Sequence, residues 1–215
     1  MQESAAQRGG RLARFLAAPW SIRLHLVHTL WRRMVTGTFY RPMFAEIGSG
    51  SVIYRPLLLA NTECMRLGRR VLVRGGARLE VVRHGQEWTP SLEIGDDVNI
   101  EQNVHIVCHD RVRIGDRVSI TGNCAIVDVN HPHEAAFSGG KIGETIDPRR
   151  SHVTIGSNTF LGFGTVVLPN VTIGRNCLIG AGSVVSADIP DDSVAAGAPA
   201  RVVRTRLKST ESPNA

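Results

Sequence analysis

Aromatic side chains make up only 5% of the 215 residues, so the core cannot rest on stacked rings and must be filled by Val, Ile, Leu and Ala. Cysteine pairing is missing too: Cys64, Cys108, Cys124 and Cys177 form no CxxC pair and no zinc-like spacing. Free thiols and a reducing, cytoplasmic setting are therefore expected. No apolar run reaches the about 18 residues of a membrane span, because Arg14, Arg23, His25, His28, Arg32 and Arg33 break up the one hydrophobic N-terminal region. The apolar piece from Phe15 to Trp20 is too short for a signal-peptide core.

Glycine, by contrast, is plentiful at 22 residues, and the formal net charge of +6 favours an anionic partner. Nucleic acid is not expected as that partner, since no recognition module or aromatic-interleaved basic stripe is present.

The dominant pattern is a repeat. Aliphatic residues stand six apart at Ile94, Ile100 and Ile106, at Ile114, Ile120 and Ile126, and at Ile155, Leu161, Val167, Ile173, Ile179 and Val185. Four residues after most of them comes a small or β-branched residue: Val98, Val104, Val118, Cys124, Thr159, Thr165, Val171, Cys177 and Ser183. A strand of a few residues and a tight corner make one side of a triangle, and three such sides return the chain above itself. Stacked coils then pair at about 4.8 Å, with the aliphatic residues forming internal ladders. Gly95, Gly115, Gly156, Gly174 and Gly180 follow the aliphatic position directly, which suggests corners that need permissive backbone angles. The β-branched content and the glycine frequency exclude a helical reading.

These patterns predict an all-β fold, a parallel β-helix with short N-terminal helices. Residues 1–10 read as a disordered N-terminus. Residues 11–45 read as an amphipathic helical segment divided by Pro19. The β-helix is expected over 46–200, with weaker repeats at Ile47 and Leu67 and a ladder ending near Ile189-Pro190. A loop insertion over 127–153 interrupts it, and residues 201–215 read as a basic C-terminal tail ending in a disordered stretch.

The repeats, the loop sequence Asn130-His131-Pro132-His133 and the segment Gly197-Ala198-Pro199-Ala200-Arg201 resemble the hexapeptide-repeat acetyltransferases, left-handed β-helix enzymes, and among them the O-acetyltransferases of sugars and polysaccharides. The resemblance covers about residues 90–204. It implies direct acetyl transfer from acetyl-coenzyme A to a hydroxyl, with His131 as general base and Asp128 or Glu134 as candidates to fix its tautomer. A neutral imidazole suits the task, because a sugar hydroxyl attacks a thioester only as its proton is removed. Asn103 matches an acceptor-contacting position, although asparagine also suits β-helix corners. Phe163, Ala181 and Ser186 match positions along pantetheine, while Arg201 and Arg204 match the nucleotide end, where guanidinium groups bind phosphate. The pattern departs at Ala187, where lysine is expected, and at Phe160, where tryptophan is common.

The resemblance also implies a homotrimer with clefts between subunits. Phe15, Trp20, Trp31 and the arginines of residues 11–40 allow either a cap on the first coil or peripheral contact with the inner face of a membrane. His133 adds a His-x-His spacing without a third ligand, so no metal is expected; His105 and His109 read as exposed faces of a coil. Three alternatives stay open: N-acetyl transfer to an amino sugar, a zinc hydratase of the carbonic-anhydrase kind on the same fold, and a non-catalytic scaffold.

Overall fold

The computed structural model describes residues 11–133, 139 and 141–205. The termini read as disordered, 1–10 and the segment after Thr205, lie outside the described residues, as does Glu134. Two helices come first: α1 over Arg11–Ala17 and α2 over Trp20–Val35. Pro19 divides them, since its ring and missing N–H end α1 but are tolerated at the start of α2. With no Gly or Pro inside it, α2 runs for 16 residues. A wide turn over Thr36–Tyr40 and a tight one over Arg41–Met43 lead into the coil.

From Glu46 onward the chain winds into a left-handed β-helix with three parallel faces. The first face stacks Glu46–Ile47, Met65–Leu67, Ser91–Ile94, Arg111–Ile114, His152–Ile155 and Val171–Ile173. The second stacks Val52–Ile53, Leu72–Val73, Asn99–Ile100, Ser119–Ile120, Phe160–Leu161, Leu178–Ile179 and Ser193–Gly197. The third stacks Leu58–Ala60, Arg78–Val81, His105–Cys108, Ala125–Val127, Val166–Val167 and Val184–Val185.

Register puts like on like. Ile47, Leu67, Ile94, Ile114, Ile155, Ile173 and Ile189 climb the first face. Ile53, Val73, Ile100, Ile120, Leu161, Ile179 and Ala195 climb the second. Leu59, Leu79, Ile106, Ile126, Val167 and Val185 climb the third. The ladder thus passes the expected stop at Ile189-Pro190 and ends on Ala195. From Ile53 upward these ladder residues of the second face are fully buried, and burying a Val, Leu or Ile contributes about 1.5–3 kcal/mol. The four cysteines are free.

The corners correct one expectation. The glycines directly after the aliphatic residue do not carry the unusual backbone angle. That falls two residues later, at Asp97, Arg117, Asn158 and Asn176 (φ 57°, 54°, 61° and 57°), where Asn and Asp tolerate the left-handed region better than most residues. The glycines are there for close approach: a Cβ on Gly95 would lie 2.4 Å from Asp116 Oδ1, and one on Gly156 would lie 2.5 Å from the Gly174 carbonyl carbon. The space is used by side chains that reach down one coil, such as Asp96 accepting from the Arg69 N–H at 2.7 Å and Asp116 from the Asp96 N–H at 2.8 Å.

Both ends are covered. At the first coil, Arg32 of α2 donates to the Ile53 carbonyl at 2.7 Å and the Ile53 N–H donates to Thr36 Oγ1 at 2.9 Å, so this edge strand leaves neither group bare. At the last coil, Ala200–Thr205 folds back antiparallel on Ser193–Gly197. Residues 201–205, expected as the start of a tail, are therefore a strand, because Gly197 (φ 105°) and Pro199 turn the chain onto an edge that still needs partners.

Candidate functional site

The excursion that carries His131 leaves the third face after Val127 and rejoins the first at His152. Its base is clamped by two buried carboxylates. Asp128 accepts the backbone N–H groups of His109, Asp110 (2.9 Å) and Arg111 (2.8 Å). Burial pushes its carboxyl above the usual range, and these three donors only partly oppose that rise. Asp110 takes the Arg150 guanidinium through two bonds of 3.0 and 2.9 Å and the Ser151 N–H at 3.1 Å. Ser151 closes the ring by donating to the Asp128 carbonyl. One end of the excursion is thereby tied to the other.

His131 stands exposed on this loop, and its Nδ1 lies 2.8 Å from the Thr145 carbonyl oxygen. A carbonyl only accepts, so Nδ1 carries the proton and Nε2 keeps its lone pair. The tautomer is thus fixed by a backbone group. Asp128, one of the two expected orienting residues, is fully occupied at the loop base. Thr145 itself follows a short turn over Ile142–Glu144, with the Glu144 N–H donating to the Lys141 carbonyl and the Thr145 N–H to the Ile142 carbonyl. Nearby, Asn130, Asp147, Arg149, Arg150 and Asn170 line a polar cleft of about 190 Å³. The Arg149 guanidinium beside Asp147 holds that carboxyl below the usual range.

The other sequence-predicted residues sit elsewhere on the coil. Asn103 occupies a left-handed corner (φ 57°) between the second and third faces, with its amide over Gly76, where a Cβ would meet Oδ1 at 2.1 Å. Phe163 and Ala181 belong to the same corner column: Gly164 donates to the Gly122 carbonyl, and Gly182 to the Phe163 carbonyl at 2.8 Å. Phe163 is exposed, its ring against Gly122. Ser186 follows the last strand of the third face, on the far side of that face from Ala181. Arg201 and Arg204 are exposed on the final antiparallel strand. Within one chain the whole third face therefore lies between the corner holding Asn103 and the edge from which the His131 loop departs.

Two histidines differ from expectation. His109 is 2% exposed, enclosed by the 82–90 excursion, with Trp88 packed edge-on at 5.5 Å; its ring nitrogens find no hydrogen-bond partner among the described residues. It lines a cleft of about 340 Å³ with Trp88, Ile146 and Pro148, next along the chain from Thr145. His105 is half-buried on the outer side of the third face, and burial, with Arg78 adjoining, pushes its imidazole down toward the neutral form. Sequence gave no signal for His109, since its cover comes from excursions outside the repeat. Among the described residues no three His, Cys, Asp or Glu side chains gather as a metal-binding set.

Residues 152–187 match the family model of the bacterial transferase hexapeptide (six repeats). WbbJ of Escherichia coli strain K12, named for O-acetyl transfer in lipopolysaccharide biosynthesis, is 29% identical over 175 residues, which is 80% of this chain and 83% of that protein. The galactoside O-acetyltransferase of the same strain is 40% identical over 116 residues, 53% of this chain and 54% of that one, so here the chain spans about half the relative's length. AntD, an N-acyltransferase from Bacillus cereus solved with dTDP and coenzyme A, shares the fold at a TM-score of 0.63 and 17% identity, covering 79% of this chain and 89% of its own. The chain thus carries the bacterial transferase hexapeptide on a left-handed β-helix and resembles the hexapeptide-repeat acetyltransferases, with O-acetyltransferases of sugars among its relatives.

Proposed function

We propose that this chain transfers an acetyl group from acetyl-coenzyme A to a hydroxyl of a sugar or glycan precursor, with His131 as general base. The observation that carries the reading is the Thr145 carbonyl on His131 Nδ1. With the imidazole neutral, it leaves Nε2 as the acceptor and fixes the ring direction through a backbone carbonyl. In the reaction Nε2 takes the hydroxyl proton as that oxygen bonds to the thioester carbonyl carbon. The tetrahedral intermediate then collapses, the carbon–sulfur bond breaks, and the imidazolium returns the proton to the departing thiolate. No covalent enzyme intermediate is required.

In this reading the corner of Phe163 and Ala181 guides the pantetheine arm, Ser186 meets that arm from the opposite edge of the third face of the neighbouring subunit, and Arg201 and Arg204 meet phosphate oxygens. Gly164 and Gly182 leave open space beside the Phe163 ring at that corner. Asn103 supplies an amide that both donates to and accepts from a sugar hydroxyl. Because a full face separates this column from the His131 loop, the complete site is formed by one subunit's loop against its neighbour's corner in a trimer.

The test is release of free coenzyme A from acetyl-coenzyme A across matched hydroxyl and amino sugars. His131→Ala is expected to lose about 100-fold or more of acceptor-dependent release while still binding acetyl-coenzyme A. Equal rates for the variant would remove His131 from the mechanism, and a preference for the amino sugars would make the reaction N-acetylation.

A further inference from the structure

α2 is docked the wrong way round for a water-facing helix. Its contacts with the coil come from a polar stripe, Thr29, Arg32 and Thr36, with His25 and Thr29 lining a groove beside Tyr54. Arg32 and Thr36 are its buried members, at 9% and 2% exposure, and the Arg32 guanidinium lies over the Tyr54 ring at 5.9 Å. Trp20, Leu24, Val27, Trp31 and Met34, spaced four and three apart, form the opposite stripe, with Leu30 beside them. All six are exposed, Trp20 at 67%, Leu30 at 62% and Trp31 at 56%. A surface helix of a globular protein ordinarily presents the reverse arrangement.

Charge identifies what covers that stripe. Residues 11–44 hold six arginines (Arg11, Arg14, Arg23, Arg32, Arg33 and Arg41) and no Asp or Glu. Two copies of such a segment meeting face to face would repel. An anionic lipid surface is complementary: arginines sit among the headgroups, tryptophans at the interfacial depth, and aliphatic side chains just below. Arg23 already lies over the Trp20 ring at 5.5 Å, which places cation and indole at one level. At about 24 Å, the helix is of a length to lie along a bilayer surface, and no described helix is long and apolar enough to cross one.

We propose that α2 lies in the surface of an anionic bilayer, with the stripe from Trp20 to Met34 inserted and Arg14 and Arg23 among the headgroups. The β-helix would then hang from the membrane by the polar stripe that caps its first coil. This goes beyond acetyl transfer and does not depend on it.

The test is co-sedimentation of the full chain with vesicles of phosphatidylcholine alone or mixed with phosphatidylglycerol. Binding is expected only to the mixed vesicles, with a blue shift of tryptophan emission and weakening at high salt. The double variant Leu30→Glu with Trp31→Glu, checked for an unchanged melting curve, is expected to bind about tenfold more weakly or less. Arg14→Ser with Arg23→Ser, which leaves the apolar stripe intact, should weaken binding chiefly at low salt. The proposal is overturned if the native chain ignores mixed vesicles, if it binds neutral ones equally, or if the Glu variant binds undiminished. It is equally overturned if sedimentation velocity shows the Glu variant falling to a smaller assembly, since the stripe would then be an interface between copies.

Discussion

Gly115 and Arg117 share one corner yet answer different demands. A Cβ on Gly115 would lie 2.7 Å from the Ser157 backbone nitrogen, whereas Arg117 holds the left-handed backbone angle with an exposed side chain. Gly115→Ala should therefore cost about 1–3 kcal/mol in urea unfolding, through overpacking against backbone. Arg117→Gly should change stability by less than about 1 kcal/mol, since relief at φ 54° is offset by the added freedom of the unfolded chain. If Gly115→Ala were neutral, the close-approach account of these glycines would fail. The letters alone mislead here, because a glycine needed for space and one needed for angle look identical in a sequence. His131 shows a related blind spot: its position was legible from the loop motif, but its partner is the Thr145 carbonyl, a group that every residue possesses and no sequence pattern marks.

The excursion from Asp128 to Ser151 is held at its base by groups that replace a missing strand pairing. Asp128→Ala would leave the N–H groups of His109, Asp110 and Arg111 without acceptors in a buried setting, at about 1–3 kcal/mol for each one left unsatisfied. The expected result is a lower midpoint in urea and early proteolytic cutting within the excursion, with Asp128→Asn intermediate; a variant as resistant as the native chain would show that the clamp is idle. The strands of the coil were readable because a six-residue period repeats the same demand at each side, so Ile94 through Val185 announce themselves. α2 was readable as a helix but not in its orientation. Amphipathic spacing tells which residues share a side, and only the Arg32 and Thr36 bonds to Ile53 tell which side is docked.

Across the whole molecule, exposed acid–base pairs stitch successive coils. Arg69 holds the Asp96 carboxyl below its usual range, as Arg70 does for Asp97, while Asp191 is lowered by the Arg175 backbone N–H and guanidinium. Carboxyls lowered in the fold contribute stability above the unfolded value of about 4 and lose it as pH falls through their folded values. His105, pushed down in the fold, adds a shallow loss that begins near 6.5 as the unfolded chain takes up protons first. Melting temperature should therefore slope gently from pH 7 to 5 and drop below about pH 4, and added salt should shrink the acid drop because these pairs are exposed. A steep fall at pH 6 would point to a buried group instead. The six-residue ladder was legible, but the sequence hid how far apart in the chain adjacent rungs stand: Ile114 stacks on Ile155, and Ile155 on Ile173. Closing a longer excursion between two fixed rungs costs only about 0.6 kcal/mol for each doubling of its length. With Asp110 and Asp128 fastening both ends, the parts of the excursion other than His131 and its Thr145 partner can change in length and composition while the stack beneath stays unchanged. A new acceptor preference would then arise by rewriting one excursion, with no rung of the ladder altered.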